Sequence, residues 1–176
     1  IIVSITLELR TEPDYRPETG YRSLRDELSA SGIAQPGIRD VFDAVCKIRS
    51  SKLPDPARVP NAGSFFKNPV VERELADSLR NMHPEMPIFP MLDGRAKLAA
   101  GWLIEKTGWK GRMVENVGTW PDQALVLHHN GKATPAQVRK AVQKILRDVE
   151  WMFGIELAPE VVTPGFDRPN EAPFAG

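Results

Sequence analysis

Apolar positions recur at helical spacing most plainly between residues 134 and 154, where Val138, Val142, Ile145, Val149 and Met152 form one stripe. Thr134-Pro135-Ala136-Gln137 supplies a capping box with proline at the first helical position, and Gly154 supplies the stop, so a scaffold helix is predicted here. A second helix is predicted from Pro36-Gly37. Val41, Phe42, Val45 and Ile48 recur on one side, Arg39, Asp40, Asp43 and Lys47 occupy the other, and Pro54 ends it. Two more helices are predicted, over Val70 to Met82 with Val71, Leu75 and Leu79 inward, and over Lys97 to Thr107 with Leu98, Trp102 and Leu103 on one face. Gly101 in the latter permits close approach of another element.

Period-two alternation marks the strands. Ile1, Val3, Ile5, Leu7 and Leu9 alternate with Ser4, Thr6 and Glu8, predicting a strand with one buried face. Met113 to Val117 and Ala124 to His128 read as short strands, the second apolar throughout its Ala-Leu-Val-Leu run, and Ile155 to Val162 reads as a closing strand. Residues 11–36 form a linker with one short helix around Ser23 to Ser29, residues 83–95 form a loop, and the proline-rich tail beyond Thr163 is expected to be mobile. The fold class expected is α+β, three or four helices over a small mixed sheet.

Composition narrows the function. The 176 residues carry 23 basic and 23 acidic side chains, so nothing in the charge balance favours a nucleic-acid partner or a membrane surface. The single cysteine, Cys46, excludes an internal disulfide and a cysteine-built zinc site, which suits a reducing cytoplasm. No apolar run has the length that spans a bilayer. The chain starts in mid-strand without a methionine and reads as a fragment.

Candidate chemistry centres on Asn61-Ala62-Gly63-Ser64-Phe65-Phe66-Lys67-Asn68-Pro69. Gly63 lets the backbone pass close to another group, and a hydroxyl sits beside it. Phe65 and Phe66 would point to opposite faces of a strand and brace it on both sides. The plain alternative is a tight turn before a strand. His128 and His129 precede Asn130-Gly131, but no third ligand stands at useful spacing, so no metal is expected. A serine hydrolase built on Ser64 would need a histidine base, and the contexts of His83, His128 and His129 do not provide one.

The Asn61 to Pro69 stretch resembles the signature of the UDP-N-acetylenolpyruvoylglucosamine reductase family. The resemblance continues, in the family's order, through Lys52-Leu53-Pro54-Asp55-Pro56, Lys97-Leu98-Ala99-Ala100-Gly101-Trp102-Leu103-Ile104, Gln123-Ala124-Leu125-Val126-Leu127 and Pro159-Glu160-Val161. It implies a cytoplasmic flavoenzyme that reduces UDP-N-acetylglucosamine enolpyruvate to UDP-N-acetylmuramate for peptidoglycan, with FAD as hydride carrier and NADPH as its reductant. It further implies that Ser64 donates a proton and that Glu160, if held protonated in an apolar setting, hydrogen-bonds the substrate carboxylate. Lys52 and Asn68 would hold the diphosphate, Gln123 the nucleotide, and Arg49 matches a neighbouring family arginine. This chain departs from the family's L-E-P-E-V pattern, with Ala158 at the first glutamate and Val162 in place of an arginine.

On this resemblance residues 1–10 are a strand left from a flavin-binding domain, 11–36 a linker, 37–162 the substrate-binding domain and 163–176 a tail. FAD would be bound mainly by that absent domain of the same polypeptide, and these residues alone would be inactive. The rival expectation is a catalytically silent module that keeps the UDP-sugar cradle.

Overall fold

The computed structural model describes residues 2–9 and 15–162, and its contacts divide the chain into two units between Ser51 and Lys52. In the first unit, α1 (Arg22–Ala30) and α2 (Ile38–Lys52, whose last residue crosses the division) pack around Leu24, Leu28 and Ala44, with Ile33, Val41 and Ile48 alongside. Lys47 bridges to Glu27 at 2.6 Å. The α2 stripe splits: Val41 and Ile48 pack with the α1 cluster, whereas Phe42 and Val45 are exposed.

Residues 2–9 are exposed and form no strand, contrary to their alternation. Alternation specifies which face a strand would bury; a ladder also needs a partner, and none occurs for this segment among the described residues. Both ends of the 1–10 expectation, part of the 11–36 linker and the whole 163–176 tail lie outside the described residues.

The second unit is α+β, as expected, with its strands in two small antiparallel sheets where a single mixed one was predicted. The first sheet has the order β1 (Asn61–Ser64), β7 (Gln123–His129), β6 (Val117–Trp120), β5 (Met113–Val114). The second has the order β2 (Val70–Val71), β4 (Ala96–Leu98), β3 (Ile88–Pro90). Three helices complete the unit, α3 (Arg73–Met82), α4 (Ala100–Lys106) and α5 (Pro135–Phe153).

Two predicted helices therefore begin later than their apolar pattern. Val70–Val71 pairs with Ala96–Lys97 before α3 starts, and Ala96–Leu98 is a strand before α4 starts, so cross-strand hydrogen bonds override local helical spacing at both places. The 83–95 loop contains β3 for the same reason. On α5 the capping box, the N1 proline and the left-handed Gly154 (φ 64°) all form as predicted. Its buried stripe is Ala141, Val142, Ile145, Val149 and Phe153, with Met152 turned partly to solvent. These side chains meet Phe65, Phe66, Leu79, Leu98, Leu103, Ile104, Trp109 and Leu127 in one core. Trp109 completes its buried indole N–H by donating to Asp148 Oδ2 at 2.8 Å.

Candidate functional site

Ser64 is the last residue of β1, directly after Gly63, whose φ of 71° few side chains tolerate and beyond whose α-carbon there is open space. The register between β1 and β7 slips between Asn61 and Ser64, so the pairing is irregular just before the hydroxyl. Ser64 is exposed, and its hydroxyl has no hydrogen-bond partner among the described residues.

The residues that follow are stitched to two neighbours. Phe65 N–H donates to Leu125 O at 2.8 Å, Glu160 N–H donates to Phe65 O at 2.8 Å, and Lys67 N–H donates to Ala158 O at 2.8 Å. Phe66 and Pro159 form an isolated bridge. The segment 155–162 forms no extended strand; beside this bridge it is anchored by Ile155 and Leu157, buried in the core. Phe65 and Phe66 do not brace opposite faces: past the end of β1 both rings turn into the same core, in edge-to-face contact with centroids 5.2 Å apart. The bracing is one-sided and leaves the Ser64 side open.

Glu160 is brought to the residue after Ser64 through this backbone pair, and its side chain is exposed.

Asn68 Oδ1 accepts from Ala100 N–H, the first residue of α4, at 2.9 Å. Gln123 opens β7, and its Oε1 accepts from Leu125 N–H at 3.4 Å. Gly101 stands against Gln123: a Cβ there would lie 3.2 Å from Gln123 Oε1 and 3.4 Å from Leu125 Cγ. The close approach anticipated for Gly101 is therefore to the mouth of β7. Ser64, Asn68, Gln123 and Glu160 are linked through Phe65, Leu125, Ala100 and Gly101, residues that sequence reasoning had treated as packing.

Lys52 ends α2, exposed, and its ammonium has no hydrogen bond or ion pair to any described residue. Arg49 is exposed on α2 within the first unit.

A hollow of about 420 Å³ opens at the other end of β1, lined by Asn61, Phe65, Leu127, His128, His129 and Val138 among others. Ser64 does not line it. Burial pushes the His128 imidazole below its usual range, and its ring meets Trp120 edge-on at 5.4 Å. His129 Nδ1 accepts from Gly131 N–H at 3.1 Å, and His83 packs against Trp102 and Phe153. No histidine hydrogen-bonds Ser64 among the described residues. Nor, among them, does any cluster of three or more His, Cys, Asp or Glu stand ready for a metal, and no helix is long and apolar enough to cross a membrane.

The described residues thus form an α+β unit with an exposed serine at a strand end and a glutamate on the returning chain bonded through its backbone N–H to the next residue, Phe65. Residues 55–163 match the family model described as UDP-N-acetylenolpyruvoylglucosamine reductase, C-terminal domain. Curated proteins of that name resemble the chain. The one from Pseudomonas aeruginosa is 49% identical over 156 residues, 89% of this chain and 46% of its own length. Those from Azoarcus sp. (49% over 158 residues) and Burkholderia multivorans (48% over 163 residues) cover 90% and 92% of this chain and likewise 46% of their own lengths. The chain belongs to the UDP-N-acetylenolpyruvoylglucosamine reductase family and spans less than half the length of these relatives.

Proposed function

We propose that this chain is the substrate-binding and proton-donating side of a reductase acting on UDP-N-acetylglucosamine enolpyruvate in peptidoglycan synthesis. The observation that carries the reading is the stitch at Phe65, which joins an exposed Ser64 on one side to Glu160 on the other. The open space at Gly63 leaves the backbone beside Ser64 accessible. When bound, FAD reduced by NADPH supplies a hydride to the terminal vinyl carbon.

What remains for this chain is the proton. The carbon that bears the ether oxygen and the carboxylate becomes basic, and a hydroxyl held by a rigid strand end can protonate it, although free serine is a poor acid. Glu160, protonated once ligand and neighbouring domain exclude water, donates to the substrate carboxylate. Lys52 supplies a cation and Asn68 an amide to the diphosphate, and Gln123 an amide to the nucleotide. The expectation for Arg49 rests on the sequence resemblance. These residues alone would bind the UDP-sugar and catalyse nothing, the rest of the reaction belonging to a flavin-binding part of the polypeptide in the soluble, cytoplasmic setting of peptidoglycan precursors.

The test is Ser64→Ala in the protein carrying its flavin-binding part. Flavin reduction by NADPH should continue while enolpyruvyl turnover falls about a hundred- to ten-thousandfold, the usual range for positioned acid catalysis. Equal loss of both half-reactions, or undiminished turnover, overturns the assignment.

A further inference from the structure

Two carboxamides, one from the loop before β2 and one from β7, converge on consecutive residues of one helix. Asn68 lies just before β2 and meets Ala100; Gln123 opens β7 and meets Gly101. Ala100 N–H and Leu125 N–H are donors, so the side-chain atom facing each must be oxygen, whatever rotamer the amide would otherwise choose. Neither Asn68 Nδ2 nor Gln123 Nε2 has a partner among the described residues. Both amides therefore turn their oxygens inward and keep their N–H groups for something else.

We infer that the first turn of α4 is a positioning device for ligand recognition: Ala100 locks the Asn68 amide, and the missing side chain of Gly101 leaves the space in which the Gln123 amide lies with its N–H groups outward. The ligand must accordingly present acceptors at both points. Phosphate oxygens and pyrimidine carbonyls are such acceptors, so this inference rests on the UDP-sugar reading above and adds the residues that set its polarity. Gly101 touches no ligand in this account; it acts through Gln123. A methyl group there must displace Gln123 Oε1, and the bond to Leu125 N–H, already long at 3.4 Å, has little to give.

UDP titration of the 176-residue chain, followed by calorimetry, tests this with Gly101→Ala, Gln123→Ala and the double variant. Each single change should weaken UDP binding by about three- to tenfold, the worth of one hydrogen bond. The double variant should be no weaker than the weaker single, because both remove the same contact. Alanine is the better helix former, so α4 should survive the change. Gln123→Glu gives a reading that needs no change at Gly101: the carboxylate still accepts from Leu125 N–H but has no N–H to offer, and UDP binding should fall at least to the Gln123→Ala level. Unchanged UDP binding by Gly101→Ala, losses that multiply in the double variant, or full binding by Gln123→Glu overturns the inference. A wild-type chain that ignores UDP, or Gln123→Ala binding as wild type, instead removes the nucleotide assignment on which it stands.

Discussion

The Asn68 carboxamide oxygen accepts from the backbone N–H of Ala100 at 2.9 Å, tying the segment after Ser64 to the start of α4. Asn68→Asp separates the two jobs this residue is given. Aspartate keeps the acceptor and adds negative charge at a helix start, which is favourable, but it has no N–H to donate and repels a diphosphate. The melting temperature should hold or rise while UDP affinity drops by about tenfold or more, the worth of a hydrogen bond to a charged group. A simple loss of stability with affinity intact would show that the amide is only a cap.

Glu160 touches the serine segment through its backbone N–H, which a change of side chain leaves in place. Glu160→Gln in the protein with its flavin-binding part should keep the fold and UDP affinity, and lower enolpyruvyl turnover by about a hundredfold or more if the carboxyl acts as an acid. Steady-state kinetics beside a thermal melt decides it, and a variant with wild-type turnover removes Glu160 from the chemistry.

At the far end of β1, burial holds His128 neutral more firmly in the folded chain than in the unfolded one. The sign follows from proton uptake: on acidification through the ordinary imidazole range the unfolded chain takes up the proton first, so stability is full above that range and declines as pH falls towards the depressed folded value. Melting temperatures measured between neutral and mildly acidic pH should decline, and His128→Gln should flatten that portion of the curve. A slope unaltered by the substitution would assign the decline to other groups.

Thr134 accepts from Gln137 N–H while Gln137 Oε1 accepts from Thr134 N–H at 3.0 Å, closing the start of α5. Thr134→Ala should cost about 1 kcal/mol of stability without altering UDP binding, since α5 is scaffold. Chemical denaturation gives the first quantity and titration the second; a matched fall in affinity would mean that α5 shapes the ligand site.

Local signals were legible in proportion to how local their physics is. The capping box, Pro135 and Gly154 bounded α5 because cap hydrogen bonds and left-handed glycine involve neighbours in sequence. The Ser64 motif stood out because an adjoining glycine, hydroxyl and paired phenylalanines are a poor packing element, and Gly101 announced a close approach without naming its partner. β2 and β4 were read as helix because Val70–Val71 and Ala96–Leu98 acquire strand geometry only from each other. Residues 2–9 alternate like a strand and form none, for want of a partner among the described residues.

Sequence alone therefore determined the chemical inventory: which hydroxyl, carboxyl, amides and cations are present, and that their motifs follow one another in the family's order. Tertiary structure decided their company, setting Glu160 beside Phe65, turning both phenyl rings to one side so that Ser64 stays open, and placing Asn68 and Gln123 on successive residues of α4. The division has a physical cause. Side-chain chemistry is a property of single residues, whereas direction and adjacency come from hydrogen bonds and packing between residues far apart in the chain, which exist only once the core has closed.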